Sequence, residues 1–303
     1  MTSKQSKQTR SNGNDSNPPP ACRRAIAMIA VLGLVASSTA CGQSDAGADA
    51  VSRPQVRPIA AETLPDHIVN GDFGYPQVDP NAWTLIQSDT GKWYRASIQH
   101  PICSASDDDG WTMIPGFDRS KFGWSSTQED NDGTRLCYAH RNAVEIQNYR
   151  LNGQYVELTE SQEHTAIYQD IATIPGTLLA WTLKHSSANA SRHVDSMNVM
   201  IGRPGQEKTQ PATRIASDAN DPLGPVANGL IASNVTTGEG WDTYTGTYTV
   251  PAGQTVTRFT FKAVSSLNPA SGNRLDDIIF TKAYPLAYNG NGNTGGNTPA
   301  QKQ

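Results

Sequence analysis

Asn70-Gly71-Asp72-Phe73 and Gly272-Asn273-Arg274-Leu275-Asp276-Asp277-Ile278-Ile279-Phe280 are the two stretches that decide the fold of this chain. The first places Asn-Gly-Asp directly after the apolar pair Ile68-Val69, a pattern typical of the point where a chain enters its first strand. The second places two carboxylates inside an otherwise apolar final strand. Burying a carboxylate is costly unless it is paired or holds a cation. The two stretches therefore predict where one β-domain begins and ends, with a polar site near both.

Short runs of alternating apolar and polar residues fill the region between these stretches. Alternation with a period of two is typical of strands that have one buried face. Gly and Pro separate the runs, as at Pro175-Gly176. Many short strands at this spacing indicate a β-sandwich or a barrel. The runs are Val144–Gln147, Gln154–Leu158, Ile167–Ile171, Leu178–Lys184, Met197–Ile201, Thr243–Val250, Val256–Ala263 and Leu275–Phe280.

The two stretches resemble the opening and closing strands of galactose-binding-like jelly rolls, the β-sandwich of many carbohydrate-binding modules. Tyr168–Ile171, Trp181–His185 and Gly253–Phe259 are also similar to these modules, and the resemblance covers roughly residues 68–282. It implies an all-β, jelly-roll β-sandwich of two antiparallel sheets, a domain that surface proteins of Gram-positive bacteria often carry. Residues 75–142 match no pattern of these modules, so we expect the ligand to bind at their aromatic-rich and Asp-rich loops.

The N-terminus predicts export. An uncharged apolar run, Ala25–Ala36, follows a basic head and precedes the small residues Ser37–Ala40, which is the order of an export signal. The run is shorter than the roughly 20 apolar residues that cross a bilayer. The charged residues of the head are Lys4, Lys7, Arg10, Arg23 and Arg24, against the single acidic residue Asp15.

Small residues before Cys41, with Gly42 after it, look like a bacterial lipobox, although Ser38 stands where that motif usually has Leu. The resemblance implies that Cys41 carries a lipid and holds the protein on the outer face of the cell membrane. Cleavage near Ala40, which would give a secreted protein, and an uncleaved anchor are the alternatives.

Composition divides the chain into four regions. We expect an export signal at 1–40, a flexible tether at 41–64, the β-sandwich at 65–287 and a disordered tail at 288–303. The sandwich region of roughly 220 residues is long enough for a sizeable core. After removal of residues 1–40, 19 Lys and Arg stand against 27 Asp and Glu. No basic stripe remains to bind phosphates, so we expect no nucleic-acid partner.

Cys103 and Cys137 are the only cysteines left for a disulfide in the exported chain. A bridge closing a loop of that size contributes on the order of 3–4 kcal/mol when it is unstrained. Two unpaired buried thiols and a metal-binding pair are the alternatives.

Asn70, Asp72, Asp276 and Asp277 are candidate ligands of a structural calcium ion. The first and last strands of a jelly roll of this type lie side by side, and related modules often hold calcium there. Calcium takes six to eight oxygen ligands from carboxylates, amides and backbone carbonyls. Those modules usually have an acidic residue after the Phe of the first stretch, where this chain has Gly74. The alternative is that Asp72 caps a turn and one of the two later carboxylates is solvated.

Exposed aromatic rings that stack on a pyranose ring are the usual platforms for sugars. Trp93, Trp111 and Trp124 lie in loop-like contexts, next to or within two residues of a glycine, and are our candidates. Trp181 shares strand parity with Leu179 and Leu183, so we expect it in the core. Each candidate has packing as its alternative role.

A polar sheet face is the second part of the predicted ligand site. With a period of two, the polar residues of three strands lie opposite the apolar residues Val144, Ile146, Val156 and Leu183. Simple solvation is their alternative role. The predicted face consists of Glu145, Gln147, Tyr155, Glu157 and Lys184.

These observations predict an exported, lipid-anchored surface protein with a non-catalytic sandwich that binds an extracellular glycan or surface polymer. The alternatives are a structural or adhesive domain that binds protein, and a secreted glycan hydrolase. The mature region has no Gly-x-Ser-x-Gly, His-Glu-x-x-His or phosphate-binding glycine loop. Paired carboxylates for glycoside hydrolysis leave no recognisable spacing, so the hydrolase stays open.

Overall fold

The computed structural model describes residues 63–98, 110–134, 138–149, 153–158, 161–236 and 238–284. All of them belong to the compact unit Ala60–Gln303. The predicted export signal, the tail that we predict to be disordered, Cys41 and the Cys103–Cys137 pair lie outside the described residues. None of the described helices is both long enough and apolar enough to span a membrane.

Strands dominate the described part of the chain. It contains sixteen strands, one short α-helix α1 (Arg119–Phe122) and a 3-10 turn (Ala227–Gly229). The eight alternating runs of the sequence all coincide with strands, so their prediction is confirmed. The strands are β1 (Ala82–Gln87), β2 (Lys92–Arg95), β3 (Thr112–Met113), β4 (Ser125–Ser126), β5 (Ala143–Asn148), β6 (Gln154–Glu157), β7 (Ala166–Ala172), β8 (Leu178–Ser186), β9 (Ser196–Gly202), β10 (Lys208–Thr209), β11 (Thr213–Ser217), β12 (Gly224–Pro225), β13 (Leu230–Ala232), β14 (Asp242–Thr249), β15 (Val256–Ser265) and β16 (Arg274–Lys282).

The described strands form two antiparallel sheets. The long sheet has ten strands in the order β12-β11-β14-β8-β16-β6-β5-β1-β2-β3, and the short sheet has the order β10-β9-β15-β7-β4, with β13 also paired to β9. The chain passes from one sheet to the other along β7, β8 and β9, and again along β14, β15 and β16. Such crossing between two sheets is the arrangement of a jelly roll. The predicted all-β, two-sheet sandwich is therefore confirmed.

The main core fills the space between the two sheets. Trp124 is fully buried there, stacked on Phe73 with 5.3 Å between ring centroids and edge-on to Phe261 at 5.8 Å. Its Nε1 donates to the carbonyl of Asn70 at 2.9 Å, which satisfies the one polar atom of the indole. Trp181 is also in this core, as predicted.

The stretch Asn70–Phe73 is a turn and does not begin a strand. Asn70 and Phe73 have φ values of 54° and 51°, and the first strand begins only at Ala82. The expectation of a strand here was wrong because the turn-forming residues bend the chain back on itself instead of extending it. The Asn70 amide closes the turn, donating to the Tyr75 carbonyl at 2.7 Å and accepting from the Tyr75 N–H at 2.9 Å.

This opening turn nevertheless lies against the last strand, as predicted. The pairing of β16 with β8 shifts register between Asp276 and Ile279, and Asp277 has a φ of 46° at that β-bulge. The N–H of Ile278 donates to the Gly71 carbonyl at 2.9 Å. A Cβ atom at Gly71 would stand 2.0 Å from the Ile278 carbonyl oxygen, so only glycine allows this approach.

We expect Gly71→Ala to lower the free energy of unfolding by about 2 kcal/mol or more, because the added methyl overlaps backbone that has no room to move. Gly238→Ala is the matched control, since a Cβ there meets nothing within 4 Å. Urea denaturation of the three proteins checks both statements. Equal stability of Gly71→Ala and Gly238→Ala would show that the contact is dispensable.

Candidate functional site

An aromatic cluster covers part of the outer face of the long sheet. Tyr94 packs against Trp83 at 5.9 Å, Trp111 at 6.0 Å and Tyr138 at 5.0 Å between ring centroids. Leu85 is buried under these rings. This second cluster lies on the opposite side of the sheet from the main core, because side chains alternate between the two faces of β1. It forms one wall of a depression on that face.

A cleft of about 270 Å³ opens beside this aromatic cluster. Its walls carry aromatic rings and its floor carries carboxylates and an amide, while the segment before β16 closes one side. Its lining residues are Trp83, Tyr138, Glu145, Gln147, Tyr149, Glu157, Ala270, Ser271 and Arg274.

Gln147 lies at the centre of the cleft floor between two glutamates. Its Nε2 donates to Glu145 Oε1 at 2.7 Å and to Glu157 Oε2. Strand pairing brings the three together, since Glu145 on β5 stands directly opposite Glu157 on β6. The Gln147 side chain is buried, and its Oε1 has no hydrogen-bond donor among the described residues. The two hydrogen bonds of Nε2 thus fix the amide between the glutamates.

Glu157 accepts hydrogen bonds from the backbone and from Arg274 as well as from Gln147. Its Oε1 accepts from the Gly272 N–H at 2.6 Å, and its Oε2 accepts from Arg274 Nε at 3.2 Å. Burial raises the pKa of Glu157, and the charge of Arg274 acts against that rise. The Arg274 guanidinium also lies 5.9 Å from the centre of the Tyr155 ring. Strand β16 and the residues before it thus hold the floor in place.

The predicted polar face is only partly realised. Glu145, Gln147, Tyr155 and Glu157 do share one face of the sheet, but all four are buried and were expected to be solvated or open. Tyr155 packs edge-on against Trp241 at 5.7 Å, and burial raises its pKa to about 12. It supports the floor and does not line the cleft.

Lys184 is not part of the cleft. Strand β16 separates β8, which carries Lys184, from β6. The Lys184 ammonium lies 2.6 Å from Asp277 Oδ2, and this hydrogen bond raises the pKa of Lys184. We therefore remove Lys184 from the candidate ligand site.

The three candidate tryptophans do not line the cleft either. Trp124 is a core residue with no exposed surface, and Trp111 is 7% exposed within the aromatic cluster. Trp93 is half-buried against the main core, and its Nε1 donates to the exposed Thr112 Oγ1 at 3.1 Å. Trp111 and Trp124 are not open platforms, because neighbouring glycines mark turns but do not show which way a large side chain points. A role of Trp93 in ligand binding stays a prediction.

Sequence reasoning missed six of the nine residues that line the cleft: Trp83, Tyr138, Tyr149, Ala270, Ser271 and Arg274. Trp83 pairs directly with Gln147 across β1 and β5, so the two project from the same face. The alternation of β1 places Trp83 and Leu85 on one side, but nothing local to β1 identifies its partner strand. Trp83 and Tyr138 do belong to the region 75–142 in which we expected the ligand to bind.

The four predicted calcium ligands lie in the opening turn and at the bulge of β16. The Asn70 amide is used within its turn, and Asp72 Oδ1 accepts from the Gly74 N–H at 3.1 Å. Burial, with smaller contributions from Asp277 and Asp72, raises the pKa of Asp276 to about 7. Across the described ranges, no set of three or more His, Cys, Asp or Glu side chains is placed to hold a metal ion. Structural calcium stays a prediction, which the effect of chelation on the melting temperature would check.

A buried Ser-His-Asn contact lies behind the cleft, on the inner face of the long sheet. His185 Nδ1 lies 2.7 Å from Ser233 Oγ, and His185 Nε2 lies 2.9 Å from Asn273 Oδ1. All three side chains are completely buried, so no substrate reaches them and their role is structural. Asn273 also precedes Arg274, so this contact positions the strand that borders the cleft.

No protein-family model matches the chain, and no curated protein matches it. Among solved structures, a CBM4 module is 18% identical over 53% of this chain and 86% of its own, with a TM-score of 0.30. The N-terminal cellulose-binding domain of Cellulomonas fimi β-1,4-glucanase C is 14% identical over 61% of this chain and 99% of that domain, with a TM-score of 0.27. A family 35 carbohydrate-binding module from Clostridium thermocellum is 10% identical over 52% of this chain and 88% of that module, with a TM-score of 0.28.

In two larger neighbours the matched part is a fraction of the molecule. The chain covers 19% of a bacteriophage CBA120 tailspike protein and 27% of the CBM22-1–GH10 modules of Clostridium thermocellum xylanase 10B. The assignment of this chain to the two-sheet β-sandwiches rests on its own antiparallel sheets.

Acid should weaken the fold through His185. Burial lowers the pKa of His185 to about 4 from an ordinary value of 6.5. As the pH falls, the unfolded chain therefore takes up the proton before the folded protein does. The contribution of neutral His185 to the free energy of unfolding is fully present above pH 6.5 and is lost as the pH falls from 6.5 through 4. The upper limit of this loss is about 3 kcal/mol.

Urea denaturation between pH 4 and 7 checks this prediction. His185→Gln should be less stable than the wild type at pH 7 but should lose less stability on acidification. His67→Gln, at an exposed histidine, is the control and should keep the wild-type slope. If the free energy of unfolding depended on pH in the same way in His185→Gln and in the wild type, His185 would not be the source of the acid sensitivity.

Proposed function

We propose that this protein binds carbohydrate in the cleft on the outer face of the long sheet. The observation that supports the proposal is the juxtaposition of two aromatic rings, Trp83 and Tyr138, with the hydrogen-bonded polar floor around Gln147. A pyranose ring has apolar C–H faces that pack on aromatic rings and hydroxyls that bond to amides and carboxylates. The surface that lines the cleft is mostly polar, which suits a ligand rich in hydroxyl groups.

The floor is organised before any ligand arrives. Glu145, Gln147 and Glu157 are bonded to one another, and Arg274 and the Gly272 N–H hold Glu157 from the other side. A preorganised site loses little conformational entropy on binding, so more of the contact energy contributes to affinity. Weak individual contacts to a sugar then suffice for recognition.

Binding without catalysis is the role that the floor supports. A hydrolase of the usual kind has its two carboxyl groups on either side of the glycosidic bond, with space for that bond between them. Here Gln147 Nε2 occupies the space between Glu145 and Glu157, bonded to both. The pair is consequently suited to orienting an amide and leaves no position for a scissile bond.

We further propose that the protein is exported and anchored to the cell membrane through a lipid on Cys41. The basic head, the apolar run and the small residues before Cys41 support this. The sandwich would then hold the cell, or a partner protein, on an extracellular glycan. The intact mass of the mature N-terminus checks the anchor, since a lipidated cysteine adds acyl mass and a simply cleaved chain does not.

Trp83→Ala should weaken saccharide binding at least about tenfold, because truncating a central aromatic anchor of a binding site commonly has an effect of that size. A glycan array measures it. Tyr168→Ala is the matched control, since Tyr168 is also a half-buried aromatic residue but lies on the short sheet beneath Arg258.

Two results would count against carbohydrate binding in this cleft. Silence of the wild-type protein across a broad array would reject the sugar and favour contact with protein. Array signals that fall equally in Trp83→Ala and Tyr168→Ala would place the sugar elsewhere. Release of reducing ends from a polysaccharide would favour the hydrolase.

A further inference from the structure

We infer that Glu157 is the positioning residue of the cleft: its ionised carboxylate joins the polar floor to the wall before β16, so the cleft binds sugar while Glu157 is ionised and releases it when Glu157 is protonated. The inference rests on the proposed carbohydrate-binding function and adds the residue that regulates it. It follows from the three segments of the chain that donate hydrogen bonds to this one side chain.

Glu157 connects three parts of the cleft. Gln147 on the floor donates to its Oε2, and Arg274 donates to the same oxygen from β16. The Gly272 N–H donates to the other oxygen, Oε1, at 2.6 Å. The Glu157 side chain is 1% exposed, so these bonds are made away from water. An ionised carboxylate accepts several hydrogen bonds and donates none, which suits three donors.

The wall of the cleft depends on the bond to Gly272. Ala270 and Ser271, which line the cleft, directly precede Gly272. They belong to a tight turn that Asn268 and Ser271 close with two backbone hydrogen bonds of 3.0 and 3.2 Å. Because this turn is closed on itself, a shift of Gly272 moves both lining residues together. The carboxylate of Glu157 therefore sets the distance between wall and floor.

Other contacts hold the same segment in the sandwich. The Leu158 N–H donates to the Asn273 carbonyl at 2.9 Å. On the inner face, Asn273 Oδ1 lies 2.9 Å from His185 Nε2, and the Asn273 amide donates to the Ser265 carbonyl at 3.0 Å. None of these bonds uses the Glu157 carboxylate. We therefore expect loss of its charge to change the shape of the cleft while the sandwich stays folded.

Protonation of Glu157 would break its arrangement of hydrogen bonds. A protonated carboxyl group carries an O–H, which is a donor. Gln147, Gly272 and Arg274 all face Glu157 with N–H donors, so one of them loses its acceptor. Burial raises the pKa of Glu157, and the proton is consequently taken up at a higher pH than by an exposed glutamate.

The charged groups around Glu157 act in opposite directions. The Arg274 cation favours the ionised form, whereas the charge of Asp195 favours the protonated form. Glu145 stands directly opposite on β5 and is a second carboxylate. Acid therefore acts on this region through its carboxylates. Burial raises the pKa of the two neighbouring tyrosines, which stay neutral: Tyr149 and Tyr155.

The pH dependence of sugar binding tests the inference. Isothermal titration calorimetry of the full-length protein with xylan, hydroxyethylcellulose and galactomannan, from pH 7.5 to 5, gives the affinities. We expect the affinity for a polymer that binds to fall at least about fivefold over this range, since each pH unit below the pKa of a required ionised group lowers affinity up to about tenfold. The range ends above the pKa of about 4 of His185, and circular dichroism at each pH checks that the protein is folded.

Glu157→Gln separates Glu157 from the other carboxylates. Glutamine has nearly the same shape but does not ionise, and its amino group would face N–H donors. We expect the folded variant to bind about tenfold more weakly than the wild type at pH 7.5, with no further loss at pH 5. Glu163→Gln is the matched control, because the Glu163 side chain is 57% exposed, and it should keep the affinity and pH dependence of the wild type.

The Gly272 amide gives a reading that needs no sugar. Its N–H signal in the NMR spectrum of the wild type should move upfield as Glu157 takes up a proton and the hydrogen bond is lost. This transition should lie at the same pH as the loss of affinity. Should Glu157→Gln fail to fold, the amide titration and the wild-type affinity profile decide together.

The outcomes separate this inference from the proposed function. A flat wild-type profile, wild-type affinity in folded Glu157→Gln, or an unchanged pH dependence in that variant would each overturn the inference and leave carbohydrate binding in place. No binding to any of these polymers or to a glycan array would overturn both. Weaker binding in acid by the wild type, absent from a weakly binding Glu157→Gln, supports both.

Discussion

The hydrogen bond from the Ile278 N–H to the Gly71 carbonyl is the contact on which the rest of this structure depends. Strand β16 lies inside the long sheet between β8 and β6, and its pairing is interrupted by a bulge at Asp277. A buried N–H that loses its partner in the sheet must find another one. The opening turn supplies that partner, and the absence of a side chain at Gly71 allows the backbones to approach. The first and last described segments of the sandwich are joined in this way.

Consequences of this contact reach both sides of the long sheet. On the inner side, the same opening turn accepts the hydrogen bond of Trp124 through the Asn70 carbonyl and so orders the main core. On the outer side, β16 begins with Arg274, which bonds to Glu157. Gly272, two residues earlier, donates its N–H to the same carboxylate. The cleft floor is therefore held in place by the same strand that the opening turn stabilises. Loss of the bulge contact would disturb the core and the proposed sugar site together.

Local patterns in the sequence predicted what is local in the structure. The alternating pattern correctly predicted that Glu145, Gln147 and Glu157 share one face of the sheet, because a repeat of two residues depends only on neighbouring positions along a strand. It did not predict that these residues are buried and bonded to one another, since that depends on Trp83 and Arg274 arriving from β1 and β16. The misplacement of Trp111 and Trp124 has the same origin. A glycine beside a tryptophan indicates a turn, whereas the burial of the ring depends on residues that are distant in sequence. The resemblance correctly predicted that Asn70–Phe73 lies beside the last strand. It did not predict that this stretch is a turn.

The most direct test of the account is the crystal structure of the protein with an oligosaccharide from the polymer that it binds most tightly. The account predicts a sugar ring packed against Trp83 and ring hydroxyls within hydrogen-bonding distance of polar groups that line the cleft, with the Gln147 amide still bonded to Glu145 and Glu157. A sugar bound on the short sheet or at an end of the sandwich, with the cleft empty, would contradict it.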